Sequence, residues 1–76
     1  MTVTLYAKPE GSCVPCTATE KALIKNGIQY TRIDITEDEA ALEFILSLGH
    51  RAAPVVVVGE DNWSGFRPEK IAALAA

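Results

Sequence analysis

The sequence predicts a small α/β protein in which four strands form one mixed sheet accompanied by three helices. Segments with the two-residue alternation of a strand take turns with segments of helical periodicity, and glycine or proline separates them. The resulting order is strand, helix, strand, helix, strand, strand, helix. The first three elements require a right-handed crossover with parallel strands, and the hairpin after them adds two antiparallel strands.

The bulk composition narrows the class of protein. A length of 76 residues predicts a single domain over residues 1–76, and a hydrophobic fraction of 49% excludes a disordered chain. A net charge of −3 without a basic run argues against a nucleic-acid partner. Segment 1–6 lacks the features of a signal sequence, and no apolar run approaches the roughly 20 residues of a membrane span. We therefore expect a cytoplasmic protein with no membrane partner.

The first strand and helix meet at the cysteines. A strand is predicted at residues 2–7 and ends in the turn 8–12, which contains proline and glycine. A helix is predicted over residues 13–26, and Pro15 suits its first turn because the amide hydrogen that it lacks has no partner within the helix. Cys13 is therefore expected at a helix N-terminus.

The middle of the chain is predicted to hold a second strand and a second helix. Residues 28–35 alternate like a half-buried strand. The segment 36–39 has a capping-box pattern, in which Thr36 and Glu39 each satisfy a free backbone amide of the other. The helix that it opens ends at Gly49. Four apolar residues share one face of this helix: Ala41, Phe44, Ile45 and Leu48.

Leu42 and Leu46 fall outside that face and allow two interpretations. The favoured one is a wider buried stripe, since two leucines four residues apart on a helix usually pack. The other is a small exposed contact for a partner.

The last third of the chain predicts a hairpin and a helix. Residues 54–58 are apolar at every position, as expected of a central strand covered on both faces. Residues 59–62 are typical of a tight turn, and a short strand follows at Trp63-Ser64. Pro68 opens the last helix at a favoured position. Two residues of that helix are expected to face inward, Ile71 and Leu74.

The Cys13-Val14-Pro15-Cys16 motif is the main candidate for chemistry. A bridge between cysteines three residues apart closes almost no loop, and cytosolic thiols are kept reduced, so the pair is catalytic or metal-binding rather than structural. A zinc site needs further ligands, and His50 is the only other soft or imidazole candidate. At a helix N-terminus the free amides stabilise a thiolate, which lowers the pKa of Cys13 below the roughly 8.5 of a free cysteine.

These features predict a dithiol cycle. Cys13 attacks a substrate disulfide to form a mixed disulfide, and the less exposed Cys16 then displaces the reduced substrate and leaves the intramolecular bridge. The alternative is a pair of buried cysteines that merely pack.

Three segments together resemble the NrdH-redoxins, which are glutaredoxin-sized members of the thioredoxin fold. They are the paired cysteines, Ala53-Pro54-Val55, and the segment Trp63-Ser64-Gly65-Phe66-Arg67-Pro68, which is the most specific of the three. The resemblance extends from Thr4 through the last helix. It implies a minimal thioredoxin fold, and an electron carrier with protein-disulfide reductase activity that needs no cofactor and no metal.

The resemblance also implies partners and site residues. The expected acceptor is the large subunit of a class Ib ribonucleotide reductase, and the expected reductant is NADPH-dependent thioredoxin reductase; we expect a monomer. Cys13 is carried over as the nucleophile, Cys16 as the resolving thiol and Pro54 as a cis-proline that, with Ala53, presents backbone groups to the substrate. The closing segment is expected to build a hydrogen-bond network beside the site through four residues: Trp63, Ser64, Phe66 and Arg67. Without the resemblance, the aromatic residues among them would be core residues and Ser64 a turn residue.

Two departures from the family pattern concern the surroundings of the dithiol. The family usually has one residue between Lys-Pro and the first cysteine, whereas residues 10–12 make three here, which is expected to keep Lys8 away from Cys13. A nearby Glu10 would oppose thiolate formation and raise the pKa of Cys13. His50 and Arg51 also stand where the family often has an aromatic and an uncharged residue. They form an exposed loop, or Arg51 lies near the dithiol and compensates Glu10.

Two other functions remain open at this point. One is a glutathione-dependent glutaredoxin, although residues 59–62 match its Gly-Gly and acidic pattern poorly. The other is a module in which Cys13 from two chains holds an iron–sulfur cluster, which needs two more ligands.

Overall fold

The computed structural model describes residues 2–76, so Met1 of the predicted domain lies outside the described residues. The order of the strands and helices confirms the predicted α/β class. The elements are β1 (Val3–Ala7), α1 (Val14–Lys25), β2 (Thr31–Asp34), α2 (Glu39–Ser47), β3 (Val55–Val58), β4 (Asp61–Ser64) and α3 (Pro68–Ala75). Within residues 2–76, none of these helices has the length and apolar character needed to cross a membrane.

The four strands form one mixed sheet in the order β2-β1-β3-β4. β1 runs parallel to β2, with Thr4 opposite Thr31. β3 runs antiparallel to both of its neighbours, and Val56 lies between Leu5 of β1 and Trp63 of β4. The all-valine strand is therefore interior, as its continuous apolar run predicted.

The helices divide between the two faces of this sheet. Alternate residues of β3 point to opposite faces, so Val56 packs with the residues of α1 and α3, whereas Val55 packs with α2. The cluster on the first face, called here the dithiol-side core, contains both cysteines. Its buried members are Val3, Leu5, Ala7, Cys13, Cys16, Leu23, Val56, Trp63 and Ile71.

Pairing sets two strand boundaries that differ from the prediction. β2 covers Thr31–Asp34 rather than residues 28–35, because it is an edge strand and its last pair joins Asp34 to Ala7, where β1 ends. β4 begins at Asp61, two residues before the predicted start, because the ladder with β3 continues as far as Val58. Polar residues such as Asp61 lack the apolar alternation that predicts a strand, and only their pairing with β3 identifies them as part of one.

The predicted capping box at the start of α2 is wrong. Asp38 is the N-cap, and its Oδ1 accepts a hydrogen bond from the Ala41 amide at 3.0 Å. Thr36 instead donates to Asp34 Oδ1 through its amide at 2.8 Å and its hydroxyl at 2.6 Å. The carboxylate at the end of β2 thus holds Thr36 in a local turn two residues before the helix begins.

α2 buries a narrower stripe than its periodicity predicts. Ala41 and Ile45 are buried against the sheet. The favoured interpretation of Leu42 and Leu46 as a wider buried stripe is wrong, since they are 38% and 49% exposed. Phe44 is 40% exposed, and its ring lies beside the ring of Tyr6, with ring centroids 5.7 Å apart. Leu48 is 37% exposed. Only the residues of α2 that face the sheet directly are covered, so the buried stripe is narrower than the apolar face.

Candidate redox site

Cys13 occupies the N-cap of α1, as predicted. Its extended backbone, with φ −142° and ψ 102°, ends the turn that follows β1 and starts the helix. The Cys16 amide donates to Cys13 Sγ at 3.2 Å. The Thr17 amide donates to the Cys13 carbonyl oxygen at 3.1 Å. The sulfur therefore lies at the end of α1 where free backbone amides accumulate, and there they stabilise negative charge.

The two cysteines form a disulfide, with their Cα atoms 5.2 Å apart. Cys13 is 9% exposed and Cys16 is 2% exposed, in the order expected of an attacking and a resolving sulfur. Val14, between them, is 83% exposed and borders the site on its solvent side. Within residues 2–76 no group of three or more histidine, cysteine, aspartate or glutamate side chains is arranged to hold a metal ion.

An open cleft runs from the dithiol along α1. Its part next to Cys13 has a volume of about 270 Å³ and also touches Val14, Ala18 and Lys21. Ala18 and Lys21 continue into a larger groove of about 540 Å³ between α1 and α3, where Phe66 lies. The exposed side of the site thus has two neighbouring open hollows, mostly apolar, that share Ala18 and Lys21.

The Ala53-Pro54 peptide bond is cis, which confirms the prediction. Pro54 is buried, and its carbonyl oxygen accepts a hydrogen bond from the Gly65 amide at 2.8 Å. Ala53 packs against the dithiol-side core that contains both cysteines. The segment before β3 and the segment after β4 are therefore joined at the same end of the sheet.

The predicted closing segment divides into a buried and an exposed part. Trp63 is 4% exposed within the dithiol-side core, and Lys70 Nζ lies 5.4 Å from the centroid of its ring. Its indole Nε1 has no hydrogen-bond partner among residues 2–76. Ser64 is half-buried as the last residue of β4.

Phe66 and Arg67 lie on the outside of the same segment. Phe66 is 42% exposed. Arg67 Nε donates to Glu69 Oε2 at 2.8 Å, within the first turn of α3. The connection between this segment and the dithiol side consequently runs through the Gly65 backbone and the Trp63 ring rather than through the arginine.

Sequence reasoning missed a polar cluster beside the active-site turn. Glu20 on α1 accepts hydrogen bonds from Tyr30 Oη at 2.8 Å and from Arg32 Nε at 3.2 Å. Arg32 Nη2 also donates to the Lys8 carbonyl oxygen at 2.6 Å. The partners are 10 to 24 positions apart in the chain, and no local pattern pairs residues at such separations.

This cluster perturbs the titration of Tyr30. Burial of the phenol, followed by its hydrogen bond to Glu20, raises the pKa of Tyr30 to about 12. The negative charges of Glu20 and Glu10 raise this pKa further, whereas the positive charge of Arg32 opposes the rise.

His50 and Arg51 have different surroundings. His50 is half-buried, and its Nε2 lies 2.6 Å from Asn62 Oδ1 on β4. Its backbone amide also donates to the Ile45 carbonyl oxygen at 3.1 Å. Arg51 is exposed, and within residues 2–76 its guanidinium makes no hydrogen bond or ion pair. The histidine therefore ties the segment before Pro54 to α2 and to β4.

Known proteins with similar sequences come from one group. The glutaredoxin family profile matches residues 3–63. The glutaredoxin-like protein NrdH of Escherichia coli is 37% identical over 71 residues, which cover 93% of this chain and 85% of that protein. The NrdH protein of Lactococcus lactis subsp. cremoris is 37% identical over 73 residues, covering 96% of this chain and 99% of its own.

The chain is also similar to solved structures of an NrdH-redoxin and of a glutaredoxin. The NrdH-redoxin of Escherichia coli matches with a TM-score of 0.90 and 36% identity, over 97% of this chain and 95% of that chain. A glutaredoxin from Archaeoglobus fulgidus matches with a TM-score of 0.82 and 27% identity, over 95% of this chain and 83% of that one. Sequence and fold agree along nearly the whole length, and the chain belongs to the NrdH-redoxins, glutaredoxin-like proteins with the thioredoxin fold.

Proposed function

We propose that this protein is a dithiol electron carrier that reduces a class Ib ribonucleotide reductase and is itself reduced by thioredoxin reductase. The observation that carries the proposal is the position of Cys13 Sγ, 3.2 Å from the Cys16 amide at the start of α1 and more exposed than Cys16. The partners are those implied by the resemblance, and the structural relative from Escherichia coli is described as having a thioredoxin-like activity profile. We place this activity in the cytoplasm.

The proposed cycle moves two electrons. The Cys13 thiolate attacks one sulfur of the acceptor disulfide, forms a mixed disulfide and releases the other acceptor sulfur as a thiolate. Cys16, after losing its proton, attacks Cys13 Sγ, which breaks the mixed disulfide and releases the second acceptor thiolate. The acceptor gains two electrons, and the carrier keeps the Cys13–Cys16 disulfide. NADPH returns the two electrons through thioredoxin reductase.

The remaining site residues are proposed to hold the acceptor. Ala53 and Pro54 present backbone groups to an extended acceptor segment beside the sulfurs. Trp63 and Ser64 support that surface from β4, whereas Phe66 and Arg67 contact the partner directly because both are exposed.

The test is NADPH consumption with thioredoxin reductase, a class Ib ribonucleotide reductase and its nucleotide substrate. Sustained oxidation of NADPH that requires all components is expected. Glutathione with glutathione reductase is the parallel arm, and we expect it to be much slower. Oxidation that stops after the first reduction of the redoxin, or a faster rate with glutathione, would overturn the proposal.

Two variants separate the roles of the cysteines. Cys13→Ser is expected to abolish turnover because it removes the nucleophile. Cys16→Ser is expected to accumulate a mixed disulfide with the acceptor, visible as a shift on a non-reducing gel that dithiothreitol reverses. A mixed disulfide formed by Cys13→Ser but not by Cys16→Ser would reverse the assignment.

A further inference from the structure

We propose that Arg32 is a positioning residue for the dithiol, which together with Glu20 clamps the chain on both sides of the Cys13–Cys16 segment. The inference rests on the dithiol chemistry proposed above but on neither protein partner. One side chain of β2 contacts the strand end before the cysteines and the helix turn after them.

The contacts define the clamp. Arg32 Nη2 donates to the Lys8 carbonyl oxygen at 2.6 Å, five residues before Cys13. Arg32 Nε donates to Glu20 Oε1 at 3.2 Å, four residues after Cys16. Two nitrogens of one rigid guanidinium therefore fix the distance between the start of the active-site turn and α1.

The pair is sheltered and its charges are matched. The side chains of Arg32 and Glu20 are 22% and 19% exposed, so water screens their attraction less than that of a surface pair. Tyr30 Oη donates to the second carboxylate oxygen of Glu20 at 2.8 Å. Both oxygens of the carboxylate are thus occupied, each by a different donor.

The turn between the clamp and Cys13 is closed on itself. The amide and the hydroxyl of Ser12 both donate to the Pro9 carbonyl oxygen, at 3.1 and 2.5 Å. Gly11 has a φ of +83°, a backbone conformation that strongly favours glycine. This hydrogen-bonded turn begins at Pro9, directly after Lys8, whose carbonyl oxygen Arg32 holds.

The clamp has different consequences for the two redox forms. In the oxidised form the disulfide already holds Cys13 close to Cys16. In the reduced form that tether is gone, so the clamp and the α1 amides set how often the sulfurs meet. Loss of the clamp lets the dithiol form relax, whereas the disulfide form cannot, and the effective concentration of one sulfur near the other falls.

The experiment measures the equilibrium between the protein dithiol and dithiothreitol for wild type and Arg32→Met. We expect the equilibrium constant for disulfide formation to fall about three- to tenfold, after correction for ionisation with the Cys13 pKa of each variant. A hydrogen bond to a charged group contributes more than this to stability in total. Only the part of its free energy that differs between the two redox forms changes the equilibrium constant. Tyr30→Phe keeps both contacts of Arg32 and is expected to stay within about twofold.

Unfolding in urea separates positioning from general support. We expect Arg32→Met to destabilise the oxidised form more than the reduced form, by the same factor by which the redox equilibrium changes, because the two measurements close one thermodynamic cycle. Glu43→Gln, which removes an exposed charge on α2, is the control. It is expected to change neither the redox equilibrium constant nor the difference in stability between the two redox forms. Equal destabilisation of both forms with an unchanged redox constant would overturn the proposal. Because dithiothreitol is the only reaction partner, this result is independent of the assignment of ribonucleotide reductase and thioredoxin reductase.

Discussion

Tyr30 shows how a single side chain makes the stability of this protein depend on pH. Its hydroxyl donates to Glu20, and ionisation would place a phenolate against that carboxylate. Burial and this hydrogen bond raise the pKa from 10.0 to about 12 in the folded protein. A raised pKa means that the stabilisation is complete below the pKa of the unfolded chain and is lost as the pH rises through the folded value.

We therefore expect the free energy of unfolding to decline between pH 10 and about 12 partly because Tyr30 ionises. Tyr30→Phe should show a shallower decline over this window, while it loses the hydrogen bond to Glu20 at every lower pH. The measurement is urea unfolding at a series of alkaline pH values. Tyr6→Phe is measured for comparison. Burial, followed by the charge of Asp38, also raises the pKa of Tyr6, so ionisation of Tyr6 contributes to the same alkaline decline. An alkaline decline that is identical in wild type and Tyr30→Phe would contradict the assignment.

Cys13 shows at the same scale how a helix end prepares a sulfur for chemistry. Its side chain takes the place that a serine or aspartate usually occupies at an N-cap, and it accepts the Cys16 amide. A thiolate benefits from this contact more than a thiol, because the amide and the helix dipole favour negative charge. The same geometry brings the resolving cysteine within one helical turn.

At the scale of elements, α2 depends on an N-cap, Asp38, that is neither of the two residues expected to form the capping box. Asp38→Ala should lower the free energy of unfolding by about 1 kcal/mol, because the Ala41 amide loses its acceptor. Thr36→Ala should cost less than about 0.5 kcal/mol, since Thr36 bonds only to Asp34 in an exposed turn. Urea unfolding monitored by far-ultraviolet circular dichroism measures both. A larger loss of stability for Thr36→Ala than for Asp38→Ala would instead support the capping box as the cap of α2.

The buried stripe of α2 permits a second comparison of neighbouring positions. Ile45 is 1% exposed, so Ile45→Ala should cost about 2–5 kcal/mol through lost burial and a residual cavity. Leu46 is 49% exposed, so Leu46→Ala should cost less than about 1 kcal/mol. Thermal unfolding of the two variants against wild type tests this. Similar losses would mean that Leu46 is covered in solution.

At the scale of the whole molecule, one sheet joins two cores on opposite faces. The dithiol-side core includes Val56, and the α2 side includes Val55, the adjacent residue of the same strand. Neither face can lose its helices without exposing apolar residues of β3. The two cores are therefore expected to unfold together as the single domain that the length predicts.

Trp63 makes this expectation measurable, because it is the only tryptophan and is buried on the dithiol side. Its fluorescence and the circular dichroism of all three helices should give the same urea midpoint and the same slope. Two separated midpoints would mean that α2 unfolds independently of the dithiol side, against a single cooperative domain.

The sequence by itself determined the order of the elements, the class of the sheet and the place of Cys13 at a helix start. Each of these is a local property. Three kinds of signal act over a few neighbouring residues: the valine run of β3, the proline in the first turn of α1 and the turn glycines. The backbone conformation that each of them favours is the one found in the fold. The cis bond before Pro54 and the family could be predicted because the segment from Trp63 to Pro68 resembles that of a known family.

Only the tertiary structure decided which of several compatible local choices is realised. Thr36 and Asp38 are both good N-caps, and Asp34 selects between them by binding Thr36. Leu46 fits a buried stripe on the helix alone, and the way α2 docks on the sheet leaves it 49% exposed. The hydrogen bond from Arg32 to Lys8 joins residues 24 positions apart and exists because β2 lies beside β1. Periodicity describes the face of one element, whereas such contacts depend on how separate elements dock.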